Sequence, residues 1–125
     1  MIIRKEGIRY DLKEKGKLDV EGVEVEWIFY HDNEKPSMAL RRYKIRKGGY
    51  IGNHSHPWEH IIVVLRGRAE VTSGDRKAVV EAGDHIYIPA NEEHGFRNIG
   101  NEDAEFYCII TVSYTHLTLP TTERV

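Results

Sequence analysis

Along most of this chain apolar and polar residues alternate with a period of two, the repeat of a strand with one buried and one wetted face. Together with runs that are apolar on both faces, these β-favouring segments cover residues 23–30, 38–45, 61–66, 68–72, 77–81, 85–88 and 104–112. Between these runs stand Asp32-Asn33-Glu34-Lys35-Pro36, Lys47-Gly48-Gly49, Ser73-Gly74-Asp75, Ala82-Gly83-Asp84 and Asn98-Ile99-Gly100-Asn101, which read as turns. No stretch carries a sustained helical period. Many short strands with frequent turns predict an all-β sandwich or closed barrel, and a jelly roll suits the strand number.

Parity then sorts the side chains. In residues 39–46 the odd positions Ala39, Arg41, Tyr43 and Ile45 form a more apolar face than Leu40, Arg42, Lys44 and Arg46. The odd face is therefore expected to point inward, which makes Arg41 an inward cation. Two readings of Arg41 stay open. Its stem lies along the wall with the head escaping at the barrel mouth, or its head clamps an anionic substrate. In the final strand Phe106, Cys108 and Ile110 share one face, and Tyr107, Ile109 and Thr111 share the other. A strand apolar on both faces is usually covered on both, which predicts a homodimer.

Composition narrows the function classes. The 125 residues are enough for one domain with a single core, and 40% apolar with 30% charged residues is an ordinary globular balance. Eighteen basic and twenty acidic side chains are interspersed and leave a net charge of −2, so no basic footprint for nucleic acid stands out. The one local excess, residues 41–47, alternates most of its charges toward solvent. Cys108 is the only cysteine, which excludes an internal disulfide and a cysteine-rich zinc site. The first seven residues lack the apolar stretch of a signal peptide and no run reaches membrane-spanning length, so a cytoplasmic location without a membrane partner is expected.

Candidate chemistry concentrates in His54-Ser55-His56-Pro57-Trp58-Glu59-His60. In extended chain, residues two apart point to one side, so His54 and His56 present adjacent imidazoles. His60 has the same parity and joins them once the chain turns, which Pro57 encourages. His94 follows the tight turn Pro89-Ala90-Asn91-Glu92-Glu93, and the intervening length suits a hairpin and a return strand. Three or four imidazoles on one side form an open site for a divalent transition metal. A lone inward histidine is more often a hydrogen-bonded core residue, but four at these spacings would leave each other desolvated and unsatisfied without an ion. His31 and His85 stand alone and read as ordinary surface or core residues.

These residues carry a resemblance to the cupin superfamily. Gly48, His54, His56 and Gly67 fit its first motif, and Gly83, Pro89, His94 and Asn98 fit its second. Asn91 replaces the second motif's inner glycine, a mild change because Asn tolerates left-handed backbone. The resemblance implies a double-stranded β-helix, the jelly-roll cupin barrel, over residues 1–112. His60 stands where many cupins have a glutamate ligand, whereas Glu59 has the opposite parity and should face away. The chain is thus similar to small four-histidine cupins, some of which bind manganese.

Four neutral imidazoles leave the full +2 charge on an ion, a stronger Lewis acid than a site with one carboxylate. Imidazole suits iron, nickel, copper or zinc, and the resemblance keeps manganese and iron foremost. Tyr43, Ile51, Phe96, Phe106 and Cys108, with Arg41, are the expected lining of a cup for a small-molecule substrate. The resemblance implies a metal-dependent oxidoreductase of dioxygenase type. The alternatives are a non-redox isomerase, decarboxylase or lyase, for which Tyr43 is the nearest candidate base, and a non-catalytic binding module. Residues 113–125 resemble the translated end of a transposase adapter used in sequencing libraries. They are read as a tail foreign to the natural protein, and His116 is given no role.

Overall fold

Strands dominate because each alternating segment has one face that water cannot usefully wet. The structure is a computed structural model that describes residues 1–15, 18–30 and 36–111. Among these lie strands β1 (Ile8–Asp11), β2 (Val20–Phe29), β3 (Met38–His54), β4 (His60–Arg66), β5 (Arg68–Ser73), β6 (Arg76–Glu81), β7 (His85–Ile88), β8 (His94–Asn98) and β9 (Ala104–Thr111). A short 3-10 turn, Leu12–Lys15, follows β1. The tail 113–125, His31, His116 and all of the turn 32–36 except Pro36 lie outside the described residues.

All pairings are antiparallel, in the order β6-β5-β8-β3-β9-β4-β7, with β2 on β3 and β1 on β2. The sheet curls around one core, the jelly-roll barrel that the strand pattern predicts. The odd face of residues 39–45 does point inward, with Ala39, Arg41, Tyr43 and Ile45 all buried. Beside them on the same inner face, in register, are Val23, Val25 and Trp27 of β2 and Phe106, Cys108 and Ile110 of β9.

The largest departure from the sequence reading is β3. Lys47-Gly48-Gly49 reads as a turn, yet the strand runs on for 17 residues from Met38 to His54. These residues make a bend inside one strand rather than a reversal. Gly48 adopts φ +77°, a left-handed conformation that costs glycine little. A Cβ on Gly49 would come within 2.7 Å of the Glu21 carbonyl oxygen, so the neighbouring strand closes in on this point. The bend lets β3 change partner, from β9 along residues 38–45 to β8 along residues 50–54. Two strands carry no alternation strong enough to stand out in the sequence. β1 is only four residues long and β8 is interrupted by Gly95.

The outer face bears on the expected homodimer. Register places Tyr87, Ile61, Ile109, Leu40 and Phe29 side by side across β7, β4, β9, β3 and β2. Ile61 is 50% exposed and Tyr87 is 57% exposed, so this apolar row meets solvent within one copy. If a second copy covers it, sedimentation analysis will show a dimer and Ile61→Lys will shift the protein toward monomer. A wild-type chain that sediments as a monomer at micromolar concentration removes the dimer expectation.

Candidate metal centre

The change of partner along β3 positions the histidines. His54 ends β3 and pairs in register with His94, the first residue of β8. His56 follows two residues on, and His60 opens β4 after the Pro57 turn. Ring centres lie 4.4 Å apart for His54 and His94, 4.9 Å for His56 and His94, and 5.5 Å for His54 and His56. The ring of His60 stands 4.5 Å from that of His56 and 5.1 Å from that of His94. Four imidazoles thus meet at one end of the barrel.

Three of them arrive with fixed tautomers. His54 donates from Nδ1 to the Gly52 carbonyl at 2.9 Å, His56 to Trp58 at 3.0 Å and His94 to Glu92 at 2.8 Å. A carbonyl only accepts, so each Nδ1 carries the proton and each Nε2 keeps its lone pair. One ligand atom from each of these rings lies within 4.8 Å of the others. The Nε2 of His94 is buried and has no hydrogen-bond partner among the described residues, a cost that a bound cation removes. Trp58 stacks on His56 at 4.4 Å and 6°, holding that ring from behind. This donor set fits a divalent transition-metal ion.

His60, expected as a fourth ligand, borders this group of three. Its Nε2 lies 2.7 Å from Nε2 of His56, and its Nδ1 lies 2.8 Å from Sγ of Cys108. Glu59 faces away as its parity predicts, and is exposed where Tyr87 donates to it at 2.6 Å. His85 is an exposed surface residue.

Burial keeps the cluster neutral. It pushes His56 down to about 4, helped by the neighbouring His94 and His54. His94 is likewise pushed down to about 4 by burial, against the opposing bond to the Glu92 carbonyl. His60 is pushed lower still, first by burial and then by the Arg41 charge.

Tyr43, Ile51, Phe96, Phe106 and Cys108 line the space beneath the imidazoles together with Ile62. Ile62 has the parity of His60 along an alternating strand, a signal that was available in the sequence. The enclosed space is only about 10 Å³, the scale of a single water. Phe106 stacks on Tyr43 at 5.5 Å and packs on Phe96 at 5.2 Å, and these aromatic rings fill the cup.

Arg41 does not line that space, and its head does not escape at the mouth. The residue is 0% exposed. Its guanidinium carbon lies 5.2 Å from the Trp27 ring centre and 5.3 Å from that of Tyr43. It donates from Nη1 to the Tyr43 hydroxyl at 3.0 Å and from Nη2 to Cys108 Sγ at 2.8 Å, while Nε has no hydrogen-bond partner among the described residues. Among the described residues no carboxylate pairs with it. The buried acids Glu26 and Glu105 are taken by Arg9 and by Arg42 and Arg66 on the outer side of the sheet. Burial pushes the Tyr43 phenol well up, so as a candidate base it is a poor one.

Comparisons with known proteins fit this geometry. Residues 41–110 match the family model described as a cupin domain. An uncharacterized protein of Methanocaldococcus jannaschii is 38% identical over 58 residues, 46% of this chain and 46% of its own length. The polyketide synthase CurC of Streptomyces cyaneus is 36% identical over 61 residues, 48% of this chain and 40% of that protein. The chain thus spans less than half the length of these relatives. Among solved structures, the polyketide cyclase RemF of Streptomyces resistomycificus shares the fold, with TM-score 0.72 and 21% identity over 94% of this chain and 84% of that one.

Two outcomes follow from the geometry. Removing a preset donor with His94→Ala should abolish stoichiometric metal binding, measured by elemental analysis of untagged protein. Full occupancy in that variant would show that the cluster is not the site. The lowered values of His56 and His94 also set a pH dependence. Between about 4 and 6.5 the unfolded chain binds protons at these rings that the folded chain refuses. Stability of the metal-free protein should therefore fall as pH drops through that window. Thermal melts from pH 7 to pH 4 test this, and His94→Gln should flatten the profile.

Proposed function

The chain belongs to the cupin family, and from that membership we propose that it holds one divalent transition-metal ion on its histidine cluster and acts as a metal-dependent oxidoreductase of dioxygenase type on a small organic anion. The observation that carries the reading is the set of convergent, preset Nε2 donors on His54, His56 and His94, inside a barrel whose buried carboxylates among the described residues, Glu26 and Glu105, are engaged on its outer face. Bound there, manganese or iron would supply Lewis acidity and redox capacity, with imidazole donors leaving the ion its full charge.

The chain's own residues supply the rest. Backbone carbonyls orient the donors, and the aromatic floor of Phe96 and Phe106 excludes water and strengthens electrostatics at the mouth. With so little space beneath the rings, substrate would meet the ion from the outer side of the cluster, or displace the aromatic floor. The buried Arg41 sets the charge preference. A divalent ion on the cluster would add positive charge to an interior where, among the described residues, no carboxylate pairs with Arg41, which favours an anionic ligand.

A non-redox reading has its own support. The similarity to the polyketide synthase CurC and the shared fold of the polyketide cyclase RemF are consistent with metal-assisted cyclisation of a polyketide. Against acid–base chemistry stands the lack of a good interior base, since Tyr43 holds its proton tightly.

Oxygen uptake separates these readings. Manganese- or iron-loaded protein should consume O₂ with members of a panel of diketones, catechols and flavonols, and the His54→Ala variant should not. Conversion of a polyketide without oxygen uptake would favour cyclisation, and binding without turnover would favour a binding module. For the anion, Arg41→Met should melt at an equal or higher temperature, because it removes an unpaired buried charge, and should lose the stabilisation that small carboxylates give to the loaded wild type. Undiminished carboxylate stabilisation in Arg41→Met would remove Arg41 from ligand recognition.

A further inference from the structure

The space beneath the imidazoles is only about 10 Å³, but a cleft of about 440 Å³ opens in the barrel wall beside them. That volume falls in the range of roughly 300–1,000 Å³ that small-molecule sites occupy. The cleft exists because the sheet has two ends. Its strand order begins at β6 and finishes at β7, which follow one another in the chain yet do not pair. Their connecting turn is fastened to β4, where Gly83 N–H donates to the Val64 carbonyl at 3.0 Å and Val64 N–H donates to that of Asp84 at 2.9 Å. At the opposite end Gly74 N–H, in the β5–β6 turn, donates to the Glu93 carbonyl at 2.8 Å. The two edge strands are thus held together at both ends and stand apart between them. The result is a window with a closed frame.

Register shows what faces into it. Residues directly opposite in antiparallel strands project to the same side of the sheet. One inner row runs Arg76, Ser73, His94, His54 across β6, β5, β8 and β3. The next runs Ala78, Val71, Phe96, Ile51. Arg76 therefore shares the face and the row of two of the candidate ligands, two strand spacings or about 10 Å of backbone from His94. Below that row, half-buried Val80 of β6 and Ile86 of β7 pack against the core and, with Val71, give the cleft an apolar floor. Its polar end is the end next to the imidazoles.

The charge there is positive and available. Arg76 is exposed, and among the described residues no carboxylate pairs with it. Lys77 projects to the opposite face of β6 and lies 3.8 Å from Glu70. The acid on the rim, Glu92, lies over the β5–β6 turn, where its Oε1 would be 2.7 Å from a Cβ on Gly74. A guanidinium takes a carboxylate through two parallel N–H bonds. Nothing in the apolar floor competes for it.

We propose that the window between β6 and β7 is the binding site for a small organic acid, a carboxylate on an aliphatic or aromatic body, and that Arg76 selects its charge. The body lies on Val71, Val80 and Ile86. The carboxylate lies at the upper end, on Arg76 and the Ser73 hydroxyl, beside His94. The inference rests on the metal-binding reading only for what the acid meets beyond Arg76, an ion on the neighbouring imidazoles. Entry is then through the barrel wall, and the aromatic floor of Phe96 and Phe106 stays in place. Arg76 touches the ligand directly, whereas buried Arg41 acts on it only through its field.

Hexanoate is the probe, and 1-hexanol is its uncharged counterpart. In proton–nitrogen correlation spectra of the metal-free, ¹⁵N-labelled protein, hexanoate should shift the amides of Ser73, Arg76, Ala78, Val80 and Ile86 saturably. Arg76→Met should weaken hexanoate at least tenfold and leave the weaker binding of hexanol unchanged. Ala78→Phe, at an exposed position facing the cleft, should remove both. Lys47→Met, an exposed cation outside the cleft, should alter neither. Absence of saturable shifts in the window, or undiminished hexanoate binding in Arg76→Met, overturns the inference even where zinc still binds. Zinc-loaded protein should hold hexanoate more than threefold tighter, and equal affinity with bound zinc overturns the placement of the carboxylate beside the centre. If zinc fails to bind while hexanoate still maps to the window, the metal-binding reading fails and the acid site stands.

Discussion

The 17 residues of β3 keep β2 along one edge, while on the other edge the strand passes from β9 to β8 across a bend at Gly48 and Gly49. Its first half, paired to β9, builds the buried floor around Arg41 and Tyr43. Its second half, paired to β8, delivers His54 opposite His94. The floor and the imidazole cluster are thus two ends of one continuous element. The bend exists because Gly48 can enter a left-handed conformation and Gly49 leaves room for the carbonyl of Glu21.

The electrostatics of the centre follow from burial. Burial holds His56 and His94 below their usual value, which favours the neutral ring that can serve as a donor. The same burial makes the Arg41 charge expensive, and its cover is indirect. Two aromatic faces, a hydroxyl and a thiol share the guanidinium, and none of them is an anion. Neutral donors near a buried cation that no described carboxylate pairs with are what support the proposal of an anionic ligand. That support does not depend on which reaction is eventually assigned.

Much of this was legible in the chain. The alternation of residues 39–45 placed Arg41 and Tyr43 inside, because a strand's parity is fixed by covalent geometry. The motif spacing placed His54, His56 and His94 together, because register between neighbouring strands translates spacing into proximity. Glu59 was turned outward by the same parity. β8 escaped notice because Gly95 breaks its pattern, and Lys47-Gly48-Gly49 looked like a turn because glycine permits a reversal and a bend equally.

Tertiary packing alone decided the rest. Parity sends Arg41 inward but cannot say whether its head finds solvent, since that depends on how Trp27, Tyr43 and Cys108 close around it. Spacing brings four histidines to one end of the barrel but does not set their tautomers, which depend on what each outer nitrogen meets. Three meet carbonyls of their own loops, local contacts two residues away in sequence. The fourth meets a thiol 48 residues distant, and only the closed sheet brings that sulfur to the ring.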